Sequence, residues 1–127
     1  MPLLTSLGLI SLALGGLSGW LVVGATQKPD WFRSREVPVP HRFLQAHLDW
    51  IIMGLILIAV QVAVPAMPNW IRGTIAFGTI VNPLLFVPLA WGNAVTQKAA
   101  YKVVAILSFL AVSVGLSSLA IWAIAIA

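Results

Sequence analysis

LQAHLDWIIMGLILIAVQVAVPA, residues 44–66, is the stretch that decides the fold. A helix needs roughly 20 apolar residues to cross the hydrocarbon core of a bilayer, and this stretch has that length and character. Two ionisable residues, His47 and Asp49, interrupt it. Ionisable groups at membrane depth are costly, so they usually face a bundle interior, a cavity or a site. His47 and Asp49 are therefore the first candidate functional residues.

The rest of the chain has the same apolar character. Its 127 residues are 61% hydrophobic and 8% charged, and the mean hydropathy is +1.03. A soluble domain of this size cannot bury so much apolar surface, so we expect an integral membrane protein. We predict an all-α fold, a four-transmembrane-helix bundle that forms a single domain over residues 1–127 and is surrounded by the lipid bilayer. The predicted spans are residues 3–25, 44–67, 73–95 and 103–126.

The basic residues predict the orientation of these spans. Arg72 lies in the middle connection, and the other six basic residues lie in the first and third connections: Lys28, Arg33, Arg35, Arg42, Lys98 and Lys102. The positive-inside rule places those six in the cytoplasm and both termini outside it, and a bacterial inner membrane is the expected location. The first segment lacks a charged start and a clear cleavage site, which favours a retained span over a signal peptide.

Two compositional features exclude other classes of function. The chain has no cysteine, which excludes disulfides, thiolate metal ligation and covalently attached c-type haem. The pI near 10.4 is explained by membrane topology, so we do not expect a nucleic-acid partner.

Small residues recur at helical spacing in both outer spans. The first span has Gly8, Ser11, Gly15 and Gly19, and the fourth has Ser108, Ala111, Gly115 and Ser118. Such stripes let helix backbones approach closely, either within one chain or between subunits, and the sequence leaves both possibilities open. Gln61 and Ser113 are expected to form interhelical hydrogen bonds.

The third span has an amide beside a proline. Asn82 lies near its middle, Pro83 follows directly, and Pro88 comes five residues later. Proline removes a backbone donor and bends a helix, and a bend beside a buried amide can open a small polar pocket. The alternative is a kinked helix in which Asn82 caps a freed carbonyl.

His47 allows three interpretations. It is a neutral imidazole bonded to a nearby carbonyl, a proton carrier, or a metal ligand, most plausibly to haem iron. A second axial histidine is not expected, since the only other one, His41, lies in the proline-flanked loop. A bound haem would then be five-coordinate with an open face. Gly54 lies on the same helix face as His47 and is expected to leave a notch for a flat cofactor.

Asp49 is rotated about 200° from His47 on an ideal helix, so the two side chains are not expected to bond to each other. Asp49 lies on the side of Arg42, which can extend along the helix toward it. We therefore expect an ion pair between Asp49 and Arg42, since acids within a membrane usually find a partner.

The motif around His47 resembles that of a known group of membrane enzymes. Ala46-His47-Leu48-Asp49, followed by Gly54, resembles the second-span motif of hydroxylaminobenzene mutases and styrene oxide isomerases. The stretch Phe77-Gly78-Thr79-Ile80-Val81-Asn82 looks like the aromatic-G-T-x-x-N motif of the mutases. The glycine-rich first span is similar too, and the resemblance covers four spans of about the right order and length.

The resemblance implies a small four-span enzyme that binds haem b in a homo-oligomer, a trimer in the case of the isomerase. His47 would be the axial iron ligand, Arg42 would pair with the propionates, and Asn82 would line the substrate pocket. The open iron face would act as a Lewis acid on an oxygen of a small aromatic substrate. The isomerase converts an epoxide to an aldehyde, and the mutase rearranges a hydroxylamino group to an aminophenol.

Two positions depart from the family pattern. Met53 stands where the families have asparagine, and Phe86 stands where the isomerase has a substrate-contacting tyrosine. Neither side chain can donate a hydrogen bond of that strength, so the substrate differs or the activity has been lost. The alternative function is a non-catalytic accessory subunit that packs against a larger membrane complex. A third hypothesis is a proton or small-solute pathway through His47, Asp49, Gln61 and Asn82. It ranks last because these groups do not share one stripe and the sequence has no inverted repeat.

Overall fold

The computed structural model describes residues 1–127 and consists of helices without strands. Four of the helices are long and apolar enough to cross a membrane. They are α1 (Leu3–Gln27), α3 (Phe43–Ala63), α4 (Asn69–Phe86) and α5 (Ala99–Ile126), and a short helix, α2 (Pro29–Arg33), lies in the first connection. The all-helical class and the four spans are confirmed.

The ends of the middle spans differ from the prediction because prolines set them. The second span stops at Ala63 instead of residue 67, ahead of the turn that contains Pro65. Pro68 caps α4, which begins at Asn69, four residues before the predicted start. Arg72 does not stop this helix, since its guanidinium donates to Asn69 Oδ1 at 2.6 Å and to the carbonyl of Pro65 at 3.2 Å.

The third span also changes its helical type near its end. α4 continues through Pro83 to Phe86, and a 3-10 turn then runs over Val87–Trp91. Pro88 lies in the first turn of this 3-10 segment, where its missing donor is tolerated. Tyr101 of α5 donates its hydroxyl hydrogen to the carbonyl of Leu85 at 2.6 Å. That bond satisfies an acceptor where the α-helical pattern ends.

The long helices pack mainly in chain order, α1 on α3, α3 on α4 and α4 on α5. At the end that holds both termini, one core cluster contains residues of all four: Leu4, Leu57, Met67, Ile71, Ile75 and Leu119. At the opposite end a second cluster contains no residue of α5: Ala25, Phe32, Val37, Phe43 and Ala90. We call these the closed end and the open end of the molecule.

The small-residue stripes pack within the chain. A Cβ placed on Gly54 would lie 2.9 Å from the carbonyl oxygen of Gly8, so α1 and α3 meet backbone to backbone. On the other side, a Cβ on Gly78 would lie 2.8 Å from the amide nitrogen of Val112, and Ser108 donates to the carbonyl of Gly78 at 3.1 Å. These contacts hold α1 against α3 and α4 against α5.

The predicted interhelical bonds of Gln61 and Ser113 are not formed. Gln61 is buried, but its Oε1 has no hydrogen-bond partner. Ser113 lies on the exposed face of α5. A hydroxyl on that face cannot meet an amide in the core, so this expectation was wrong.

Candidate functional site

His47 projects from α3 onto the glycine stripe of α1. Its Nδ1 lies 2.7 Å from the carbonyl oxygen of Gly15 and 3.2 Å from the hydroxyl of Ser18. Its Cε1 lies 3.3 Å from where a Cβ on Gly19 would be, so the absence of a side chain there lets the imidazole lie against the helix. The tight contact of α1 with α3 therefore places this side chain.

The partners of Nδ1 assign the tautomer of His47. A backbone carbonyl can only accept, so a separation of 2.7 Å from Gly15 requires the hydrogen on Nδ1. In a neutral imidazole the other nitrogen, Nε2, then carries a lone pair. Nε2 forms no hydrogen bond within the chain and is not an enclosed polar atom. The carbonyl-bonded imidazole, one of the three interpretations left open by the sequence, is thus present, and it leaves one nitrogen available.

This arrangement is the one that metal-binding histidines use. Such histidines almost always donate their second ring N–H to a carbonyl or carboxylate, which holds the ring in place and raises the basicity of the ligating nitrogen. Gly15 supplies that carbonyl here. Carbonyl bonding and metal ligation are therefore compatible interpretations of His47.

The structure does not leave a notch at Gly54. Gly8 and Leu12 of α1 fill the space, and a Cβ on Gly54 would lie 3.0 Å from Leu12 Cγ and 3.1 Å from its backbone nitrogen. The expectation that Gly54 makes room for a flat cofactor is wrong within one chain. Its missing side chain instead admits the neighbouring helix.

Asp49 pairs with Asn82 across α3 and α4. The Nδ2 of Asn82 donates to Oδ2 of Asp49 at 2.7 Å, and Asn82 is 5% exposed. The expected Asp49–Arg42 ion pair is absent, since the only ion pair of the chain joins Arg33 and Asp30. The alternative in which Asn82 caps a carbonyl freed by Pro83 is also not what the structure shows. Asp49 is therefore satisfied by the amide of Asn82 on α4, whereas the expected partner was Arg42, close to Asp49 in sequence.

Arg42 is held at the start of the second span. Its guanidinium donates to Oε1 of Gln45 and to Oδ1 of Asn93, each at 3.2 Å. Both partners are neutral amides, so no carboxylate of the chain neutralises this charge. The first contact is local, and the second ties α3 to the segment that follows α4.

His47 and Asn82, the two polar residues of the predicted site, have different partners. The imidazole of His47 contacts α1, whereas Asn82 lies on α4 and contacts Asp49. No hydrogen bond connects the two pairs. Met53 and Phe86, where the families have polar groups, are partly buried. A single chain thus contains two separate polar pairs instead of one combined site.

Two apolar cavities lie on the surface that faces the bilayer. One, the α1–α3 crevice, has a volume of about 250 Å³ and lies at the open end; its lining is Leu14, Leu17, Ser18, Leu21, Phe43, Ala46, Trp50 and Val87. The other, the α4–α5 groove, has a volume of about 570 Å³ and is lined in part by Trp70, Phe77, Leu107 and Ala111. His47 lines neither, but Ser18 both lines the crevice and contacts Nδ1 of His47.

Ser18 is a residue that the sequence analysis missed. It lies one residue before Gly19 and three after Gly15, within the turn of α1 that meets His47. The signal was present in the glycine spacing, because a serine inside a close-packed glycine stripe has few places to direct its hydroxyl. Ser18 is three residues after Gly15, which is also helical spacing, but the stripe was drawn from Gly15 to Gly19 and passed over it.

Comparison of the chain with protein-family models, with curated proteins and with solved structures found no match.

Proposed function

We propose that this chain is a haem-b membrane protein that rearranges small aromatic substrates and in which His47 would hold the iron. The observation that carries the proposal is the bond from Nδ1 of His47 to the carbonyl of Gly15, which leaves Nε2 free for a metal. The resemblance of Ala46–Asp49 and Phe77–Asn82 to the mutases and isomerases supports the same assignment.

The other residues fit a haem in part. Arg42 suits a propionate, because its guanidinium is charged and has only neutral amide partners. Gly54 has no part in holding the macrocycle, since α1 already occupies the space beside it. The absence of cysteine is consistent with non-covalent haem b.

When bound, the haem iron supplies a Lewis acid toward an oxygen of the substrate. The chain's own residues do the rest. Gly15 and Ser18 orient His47, and the apolar helices around it keep water away from charge that develops on the substrate. Asn82, fixed by Asp49, presents its free Oδ1 as an acceptor to a polar group of the substrate. Asn82 is thus the proposed catalytic residue beside the metal ligand.

The proposed active form is a homo-oligomer. Within one chain, His47 bonds to Gly15 of α1, Asn82 bonds to Asp49 of α3, and no hydrogen bond joins His47 to Asn82. The resemblance to the trimeric isomerase supports a closed ring of copies, such as a trimer. The six basic residues of the two connections at the open end support an orientation with that end in the cytoplasm and both termini outside. A bacterial inner membrane suits this topology.

Turnover by matched histidine variants tests the proposed activity. The purified protein is incubated with an aryl epoxide or an arylhydroxylamine, and the aldehyde or aminophenol product is quantified. We expect product from the wild type and from His41→Ala, because His41 is exposed in the loop. We expect His47→Ala to fall to the level of a protein-free control, since it lacks the metal ligand. A His47→Ala variant that retains wild-type turnover would refute the assignment, as would a haem-loaded wild type that converts neither substrate.

A further inference from the structure

The α1–α3 crevice is lined by apolar and aromatic side chains and by one serine. It lies at the open end, where α5 does not join the core, and its rim includes Leu17, which is 68% exposed. The crevice therefore opens sideways to the bilayer. Phe43 and Trp50 contribute aromatic walls, and Ser18 contributes the only hydroxyl.

The volume of the crevice limits the size of a ligand. An engineered protein cavity of about 150 Å³ binds benzene, and sites for drug-sized molecules begin near 300 Å³. A volume of about 250 Å³ lies between these values. It has room for a substituted ring and is too small for a porphyrin. Aromatic walls favour a flat ring, because ring pairs add stabilisation beyond the burial of area.

The hydrogen bonds of Ser18 decide the polarity of the ligand. Its hydroxyl donates to the carbonyl of Gly15 at 2.9 Å, so its single hydrogen is already used. Toward the crevice the oxygen can only accept, and a ligand must bring the donor. The Nδ1–H of His47, 3.2 Å away, occupies one of the two lone pairs of this oxygen, so one more donor can bind. A spare acceptor beside an apolar wall favours a ligand with an O–H or N–H group over one without it.

We propose that the α1–α3 crevice is a lipid-accessible binding site for a single-ring aromatic molecule that carries one hydrogen-bond donor, such as a phenol or an aniline. Ser18 accepts the donor hydrogen, and Phe43 and Trp50 enclose the ring. This site does not require a haem at His47, so it goes beyond the proposed function and stands or falls separately from it.

Fluorine NMR of the full chain in lipid nanodiscs tests the proposal with two ligands of similar shape, 4-fluorophenol and 4-fluorotoluene. The signal change seen with empty nanodiscs is subtracted, and the saturable remainder measures binding to the protein. We expect Ser18→Ala to weaken 4-fluorophenol binding about three- to tenfold, as the loss of one hydrogen bond does. Binding of 4-fluorotoluene should change less than about twofold. An equal loss for both ligands, or no saturable binding of 4-fluorophenol by the wild type, would overturn the proposal.

Two filling variants locate the site. Ala46→Leu adds volume inside the crevice and should abolish binding, whereas Ala111→Leu fills the α4–α5 groove and should leave it unchanged. Thermal unfolding checks that each variant is folded, and Val87→Phe replaces Ala46→Leu if that variant is not. Loss of binding in Ala111→Leu but not in Ala46→Leu would place the ligand in the α4–α5 groove. Equally tight binding of 1-fluorohexane would make the crevice a site for lipid chains, and either result would refute the proposal.

Discussion

The Gly54→Leu variant is expected to lose the packing of α1 on α3 and to be destabilised by about 3 kcal/mol or more. Even a Cβ at this position would lie 2.9 Å from the carbonyl oxygen of Gly8 and 3.1 Å from the backbone nitrogen of Leu12. Overpacking usually costs about 1–3 kcal/mol where side chains can adjust, and more where they cannot. Here the obstacle is helix backbone, so relief requires the two helices to separate.

Gly16→Leu is the matched control for this prediction. Gly16 lies on α1, and a Cβ there would have no neighbour within 4 Å. It tests the same substitution on the lipid-facing side of the same helix pair. Unfolding in detergent with added denaturant, followed by tryptophan fluorescence and circular dichroism, measures both variants. If Gly54→Leu were as stable as Gly16→Leu, the backbone contact described between α1 and α3 would be wrong.

Breaking the Asp49–Asn82 pair is expected to have the second-largest effect. Asn82→Leu removes the donor that lies 2.7 Å from the Asp49 carboxylate and leaves the acid without a partner in an apolar setting. Hydrogen bonds to charged groups contribute about 1.5–3 kcal/mol, and an unpaired polar group in hydrocarbon is costly. We expect each single variant, Asn82→Leu or Asp49→Leu, to lower the free energy of unfolding by about 2 kcal/mol.

A double-mutant cycle separates this pair from the one expected from the sequence. Asp49→Leu combined with Asn82→Leu should cost less than the sum of the single changes, by at least about 1 kcal/mol. Asp49→Leu combined with Arg42→Gln should be additive, because Arg42 contacts Gln45 and Asn93 instead. Additive energies for Asp49 and Asn82, or strong coupling of Asp49 with Arg42, would contradict the structure.

The fold was predictable from the sequence where a signal is local. Hydropathy and span length were enough to predict four membrane-spanning helices, since lipid leaves few other ways to satisfy a backbone. Helix ends were harder to predict because Pro65 and Pro68 act on individual turns, whereas hydropathy averages over many residues. The start of α4 was predicted after Arg72, but the helix includes this residue. Its guanidinium turns back and bonds to Asn69 in the first turn and to the carbonyl of Pro65.

The candidate site was less predictable because its contacts join distant parts of the chain. Helical periodicity correctly separated Asp49 from His47, since it depends only on residues of one helix. It could not show which helix packs on each face of α3, so Asp49 was paired with Arg42 from its own segment. For the same reason Gly54 was predicted to leave an open notch, although a glycine in a span can equally admit a neighbouring helix.

The most direct test of the central claim is an absorption spectrum of the purified protein from haem-replete cells, oxidised and then reduced with dithionite. The free Nε2 of His47 predicts a Soret band that shifts on reduction in the wild type and in His41→Ala, and that is absent in His47→Ala. The same band in His47→Ala would refute the assigned ligand. A featureless spectrum of the wild type would contradict the haem proposal and favour an accessory subunit of a larger membrane complex.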